Sequence, residues 1–160
     1  MRKVLFLAAA IIGTMLSASP AAAATPERGY FDNGFNSFVD TEVCADAPWQ
    51  FDVSATEHEY GFYDIFVGAD GNVRRVNVHL NYDAWISANG KTIVERDTWT
   101  LFINEDGSRD VGLTVHIQGV GGIVVRDAGQ IVRDANGDFL YLRGPHEQFS
   151  NVSFCPAFTA

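Results

Sequence analysis

VRRVNVHLNYDAWISANGKTIVERDTWTLFI, residues 73–103, decides the fold. Asn89-Gly90 stands near its centre between two runs rich in Val, Ile, Thr and aromatic residues. That composition predicts a hairpin around a two-residue turn, because Asn and Gly tolerate the positive φ such a turn needs at both central positions. With Ala88 opposite Lys91, the pairs running outward separate cleanly. Ile86–Ile93, Leu80–Trp99, Val78–Leu101 and Val76–Ile103 fall on one face, and Asp83–Arg96, Asn81–Thr98 and His79–Thr100 on the other. A slip of one residue would exchange the faces, so the register is strongly specified.

Three further turn signals, Asp70-Gly71, Asp106-Gly107 and Asn136-Gly137, lie between segments of the same composition. They delimit candidate strands at Phe51–Tyr60, Phe62–Gly68, Val73–Ile86, Thr92–Ile103, Arg109–Gln118, Gly122–Asp134 and Asp138–Arg143, with a shorter one at Phe35–Asp40. Gly61 reads as a turn or bend and Gly129 as a bulge. For the hairpin after Ile103, a three-residue loop Asp106-Gly107-Ser108 pairs Ile103–Val111, Leu101–Leu113 and Trp99–Val115 and sets Glu105 opposite Arg109. A two-residue loop would set Ile103 opposite Asp110, so the longer loop is preferred. No segment after residue 24 has a helical pattern. The expectation is an all-β fold: an antiparallel meander of about eight strands closing into an up-and-down β-barrel, since closure removes exposed sheet edges.

Residues 1–24 read as a cleaved secretory signal, with Arg2 and Lys3 ahead of an apolar run from Val4 to Leu16 and small residues ending Ala22-Ala23-Ala24. Ser17, Ser19 and Pro20 interrupt the run too early for a membrane span. No cysteine follows the cleavage site for lipidation. Residues 25–160 are then one secreted domain, extracellular or periplasmic and free of the membrane. Eleven basic residues against 20 acidic ones give a net charge of −9, and loss of the leader removes two positive charges more, which argues against a nucleic-acid partner. Cys44 and Cys155 are the only cysteines, and in an exported chain they are expected to form a disulfide.

The inner face of the first hairpin carries polar exceptions. Its register sets Tyr82 opposite Asp97 and Ala84 opposite Glu95, so two carboxylates two residues apart point the same way as Trp99. Carboxylates facing an apolar interior are costly without partners. Such a cluster would orient a ligand, act as an acid or base, or pair structurally with an arginine such as Arg74 or Arg133. Tyr63, alternating with the outward-facing Phe62 and Phe66 in the register set by Asp70-Gly71, joins the same face. Tyr82, Glu95, Asp97, Trp99 and Tyr63 are therefore the candidate ligand-binding residues.

His58, His79, His116 and His146 supply no recognisable metal motif. His79 and His116 fall on alternate strands, about 10 Å apart at ~4.8 Å per strand, too far for joint ligation, so no metal is expected. The sequence also lacks a nucleophile elbow, a phosphate loop and a dinucleotide fingerprint, and no cofactor is expected.

From Gly112 to Phe149 the text GLTVHIQGVGGIVVRDAGQIVRDANGDFLYLRGPHEQF resembles a group of small, exported, functionally uncharacterised bacterial β-proteins. The resemblance implies a β-barrel, similar in general architecture to lipocalin-like and allene-oxide-cyclase-like barrels, and brings no catalytic residues with it. Three functional classes follow. The first is a secreted barrel that binds a small, mostly apolar molecule inside. The others are a cyclase or isomerase built on Tyr82, Glu95 and Asp97, and an interaction protein with a filled core and outward aromatics at Phe62 and Phe66. Whether the chain is an enzyme, and its oligomeric state, are left open by the sequence.

Overall fold

A computed structural model describes residues 25–46, 48–146 and 153–159; the leader, residues 1–24, lies outside them. Seven antiparallel strands follow one another: β1 (Glu27–Asp40), β2 (Val53–Val67), β3 (Val73–Ala88), β4 (Lys91–Asn104), β5 (Gly107–Gly119), β6 (Gly122–Asp134) and β7 (Phe139–Arg143). Each pairs with the next, giving one sheet in the order β1-β2-β3-β4-β5-β6-β7. The sole helical element among the described residues is a 3-10 turn at Cys155–Phe158, and none there is long and apolar enough to cross a membrane. The chain is thus an all-β antiparallel meander. Among the described residues its ladder ends at β1 and β7, and no ladder joins these two to complete a barrel.

The β3–β4 hairpin has the register its sequence dictates, unbroken from Ala88↔Lys91 to Arg75↔Asn104. Asn89 and Gly90 take φ of 50° and 74°, so the turn twists with its strands. The Asp70-Gly71 hairpin likewise pairs Ile65 with Val76 and Tyr63 with Val78, leaving Phe62 and Phe66 on the outer face. There Phe62 is covered by Arg28, whose guanidinium lies 4.3 Å from its centroid, by Tyr30 of β1 and by the stacked ring of His79.

Three expectations are corrected. The segments on either side of Gly61 form one strand, which brings the strand number from eight to seven. Gly61 marks a close approach instead of a turn: a Cβ there would stand 1.9 Å from the His79 carbonyl oxygen. The first strand also starts earlier, at Glu27, with an irregularity between Asp32 and Phe35, where Gly34 takes φ of 66°.

The third correction concerns β4 and β5. Their turn has two residues, Glu105 and Asp106, so Asn104 pairs with Gly107, Leu101 with Asp110 and Trp99 with Gly112. This register turns Val111 outward and Asp110 inward, where Asp110 accepts a 2.5 Å hydrogen bond from Arg133 Nη1. Arg109 consequently meets Phe102, its guanidinium 4.7 Å from the ring centroid, instead of Glu105. A bulge between Leu113 and Ile117 then restores the original parity, so Val115 and Ile117 return to the inner face. Apolar burial is recovered by inserting a residue in the strand, a solution that pairwise matching from the turn does not reach.

The apolar core occupies one end of the inner face, where Ala84, Ile86, Ile93, Val115, Ile117 and Val125 pack with Val53 and Phe158. Cys44 and Cys155 are bonded there with a Cα–Cα separation of 5.8 Å, both completely buried. The disulfide fastens the 3-10 turn to the connection between β1 and β2.

Candidate functional site

Alternation in β2 turns Val53, Ala55, Glu57 and Glu59 to the inner face, where Ala55 pairs with Ile86, Glu57 with Ala84 and Glu59 with Tyr82. Phe38 and Asp40 of β1, Trp99 of β4, Glu42 and Val43 of the β1–β2 connection, and Phe154 complete the lining of a cleft of about 870 Å³. The connection and Phe154 reach it because the Cys44–Cys155 bridge holds their neighbours at this end.

The cleft walls are aromatic and aliphatic, and its carboxylates are Asp40, Glu42, Glu57 and Glu59. Glu57 accepts a 2.5 Å hydrogen bond from the Tyr82 hydroxyl and a longer one, 3.3 Å, from Asn36 Nδ2. Glu59, two residues along the same face, has its pKa raised above the ordinary glutamate range, first by burial and then by the neighbouring charge of Glu57, with an opposing hydrogen bond from Asn33. Asp40 is engaged in the local turn, its Oδ1 accepting the backbone N–H groups of Glu42 and Val43 at 2.8 and 2.9 Å.

The five candidate residues from the sequence are divided by this geometry. Tyr82 and Trp99 line the cleft. Tyr82 bonds to Glu57, a residue that the reading of β3 and β4 alone does not reach. Glu95 and Asp97 are on the inner face as expected but enclosed, at 0% and 3% exposure, and neither lines the cleft. Asp97 Oδ1 accepts the backbone N–H of His116 at 2.6 Å and so holds the bulged stretch of β5. The arginines suggested as partners are engaged elsewhere, Arg74 with Asp70 and Arg133 with Asp110. Tyr63 lies farther along the inner face, packed over Gly29, where a Cβ would come within 2.2 Å of its ring.

Glu57 and Glu59 are missed by the sequence reading because a turn at Gly61 cuts them off from the register that turns Phe62 and Phe66 outward; in the continuous β2 that register carries through Gly61 and turns both glutamates inward. Asp40, Glu42 and Phe154 are missed as well, since a connection and a disulfide bring them in. Among the described residues, no group of three His, Cys, Asp or Glu side chains converges as a metal-ligand set. His58 bonds to Asp32 at 2.7 Å and His79 to Thr100 at 2.9 Å, both on the outer face. His146 is buried beside Asp127, with Nδ1 3.8 Å from its carboxylate and Nε2 3.0 Å from the Arg143 carbonyl oxygen. Compared with protein-family models, curated proteins and solved structures, the chain matches none.

Proposed function

We propose that this protein is an exported binder of a small, mostly apolar molecule, held in the cleft between the inner face of β1–β4 and the disulfide-fastened segments. The cleft carries this reading: about 870 Å³ with aromatic and aliphatic walls and a few polar groups is the size and character of a small-molecule site. Export is supported by the leader pattern of residues 1–24 and by the buried Cys44–Cys155 bridge, which persists in oxidising compartments. The barrel belongs to this proposal as well, since consecutive antiparallel pairing with one shared inner face is the arrangement that a closing up-and-down barrel requires.

Native mass spectrometry of protein recovered from culture medium tests the binding function, together with titration by the neutral apolar probe N-phenyl-1-naphthylamine. Wild-type protein retains a small molecule or takes up the probe, and Ala55→Trp, which fills the cleft, abolishes uptake. Absence of both signals in folded wild-type protein overturns the proposal. Hydrogen exchange tests closure: β1 amides pointing away from β2 are protected in a closed barrel and exchange rapidly at an open edge.

A cyclase or isomerase is the second reading, favoured by the short Tyr82–Glu57 hydrogen bond beside Glu59. A phenol and two carboxylates of unlike environment would supply an acid and a base. In that reading the chemistry rests on Tyr82, Glu57 and Glu59, while Glu95 and Asp97 are buried on the same face outside the cleft lining.

A further inference from the structure

Among the charged side chains that line the cleft, all those described are carboxylates, Asp40, Glu42, Glu57 and Glu59, and none is a lysine, arginine or histidine. Arg28, Arg74, Arg96 and Arg133 are paired with Asp64, Asp70, Asp83 and Asp110, outside the lining. Glu57 and Glu59 meanwhile face the same apolar space from alternate positions of one strand.

We propose that the molecule taken up by the cleft is an organic cation, an ammonium head on an apolar body. This rests on the binding function above and deepens it. The acids alone do not make the site. The walled cleft does, and the acids set the sign of what enters. A neutral occupant would strip water from Glu57 and Glu59 and strengthen their mutual repulsion, and an anionic one would add a third like charge. An ammonium relieves both effects, and the lining includes Trp99 and Tyr82, aromatic side chains of the kind that attract a partly desolvated cation. A bare divalent ion is disfavoured, because no three carboxylate or imidazole side chains among the described residues converge as ligands. The apolar walls, with Val53, Ala84 and Ile86, match the body of the ligand instead of its charge.

The test uses the disulfide-bonded protein and displacement of N-phenyl-1-naphthylamine by benzyltrimethylammonium or by its neutral isostere, neopentylbenzene. The cation should bind at least about tenfold more tightly than the isostere. Glu57→Gln/Glu59→Gln should reduce that preference to about twofold or less, whereas Asp83→Asn on the outer face should leave it unchanged. Equal affinity for cation and isostere overturns the charge assignment while the apolar cleft stands. If Asp83→Asn erodes the preference as much as the glutamate changes do, the effect belongs to the net charge of the protein and the assignment fails. Displacement of the ammonium by micromolar Ca²⁺ overturns it in favour of a metal site. Failure of both ligands and of the probe to bind removes the cleft reading itself, and this inference with it.

Discussion

Asp83 and Asp97 belong to one hairpin and to opposite faces, so the same substitution asks two different questions of them. Asp97→Asn removes the charge from a buried acceptor whose Oδ1 takes the His116 N–H at 2.6 Å. A loss of about 1–3 kcal/mol is expected, since hydrogen bonds to charged groups are among the stronger ones and a weakened bond leaves a part-buried backbone donor poorly satisfied. Asp83 meets Arg96 at 3.8 Å near solvent, and Asp83→Asn should cost about 1 kcal/mol or less. Urea unfolding of both variants checks this, and equal small losses would contradict the burial of Asp97. Glu59 offers a prediction of opposite sign. Its pKa is raised in the folded protein, so folding binds protons, and stability falls as pH rises through the window above the ordinary glutamate value. Glu59→Gln should therefore be more stable than wild type at pH 7, with the gain vanishing as the pH is taken below the glutamate range. Thermal unfolding across that range would show the two curves converging, and parallel curves would rule out burial of the charge as the cause.

Strand by strand, legibility depended on whether a turn alone determined the pairing. Asn89-Gly90 fixes β3 against β4, and every pair follows from it. The β4–β5 pairing does not follow from its turn, because the bulge that returns Val115 and Ile117 to the core lies half a strand away, and matching apolar residues from the turn compensates by lengthening the loop. Gly61 misleads for another reason: glycine signals a turn in sequence, yet here it admits the neighbouring backbone. The candidate site shares this limit. Tyr82 and Trp99 were legible in one hairpin; Glu57 and Glu59 were hidden by the turn expected at Gly61, and Asp40, Glu42 and Phe154 depend on tertiary contacts. Gly61→Ala tests the continuous strand directly. With a Cβ 1.9 Å from the His79 carbonyl oxygen, the β2–β3 ladder must separate locally, and a loss of at least about 2 kcal/mol is expected in chemical denaturation. A neutral Gly61→Ala would mean that the chain turns or opens there.

For the whole molecule, the decisive link is between the disulfide and the cleft. Cys44 and Cys155 are 111 residues apart, and on the chain-entropy model a bridge closing so long a loop contributes a little under ~5 kcal/mol by restricting the unfolded chain. The same bridge keeps Val43 and Phe154, each one residue from a cysteine, against the inner face where they line the cleft. Stability and binding are thereby coupled through one covalent bond, although the strands that supply Tyr82, Trp99 and Glu57 are paired independently of it. Cys44→Ser/Cys155→Ser should lose about 2–5 kcal/mol in urea unfolding and, in the fraction still folded, bind the neutral probe less tightly. The two effects are separable, because Phe154→Ala leaves the bridge in place and removes only one wall. If Phe154→Ala weakens probe binding with a small stability loss while the cysteine variant loses both, the bridge acts on the site by positioning that wall. If the cysteine variant, kept folded by low temperature, binds the probe as tightly as wild type, the fastened segments are a brace for the sheet, and the binding surface is the strands' own.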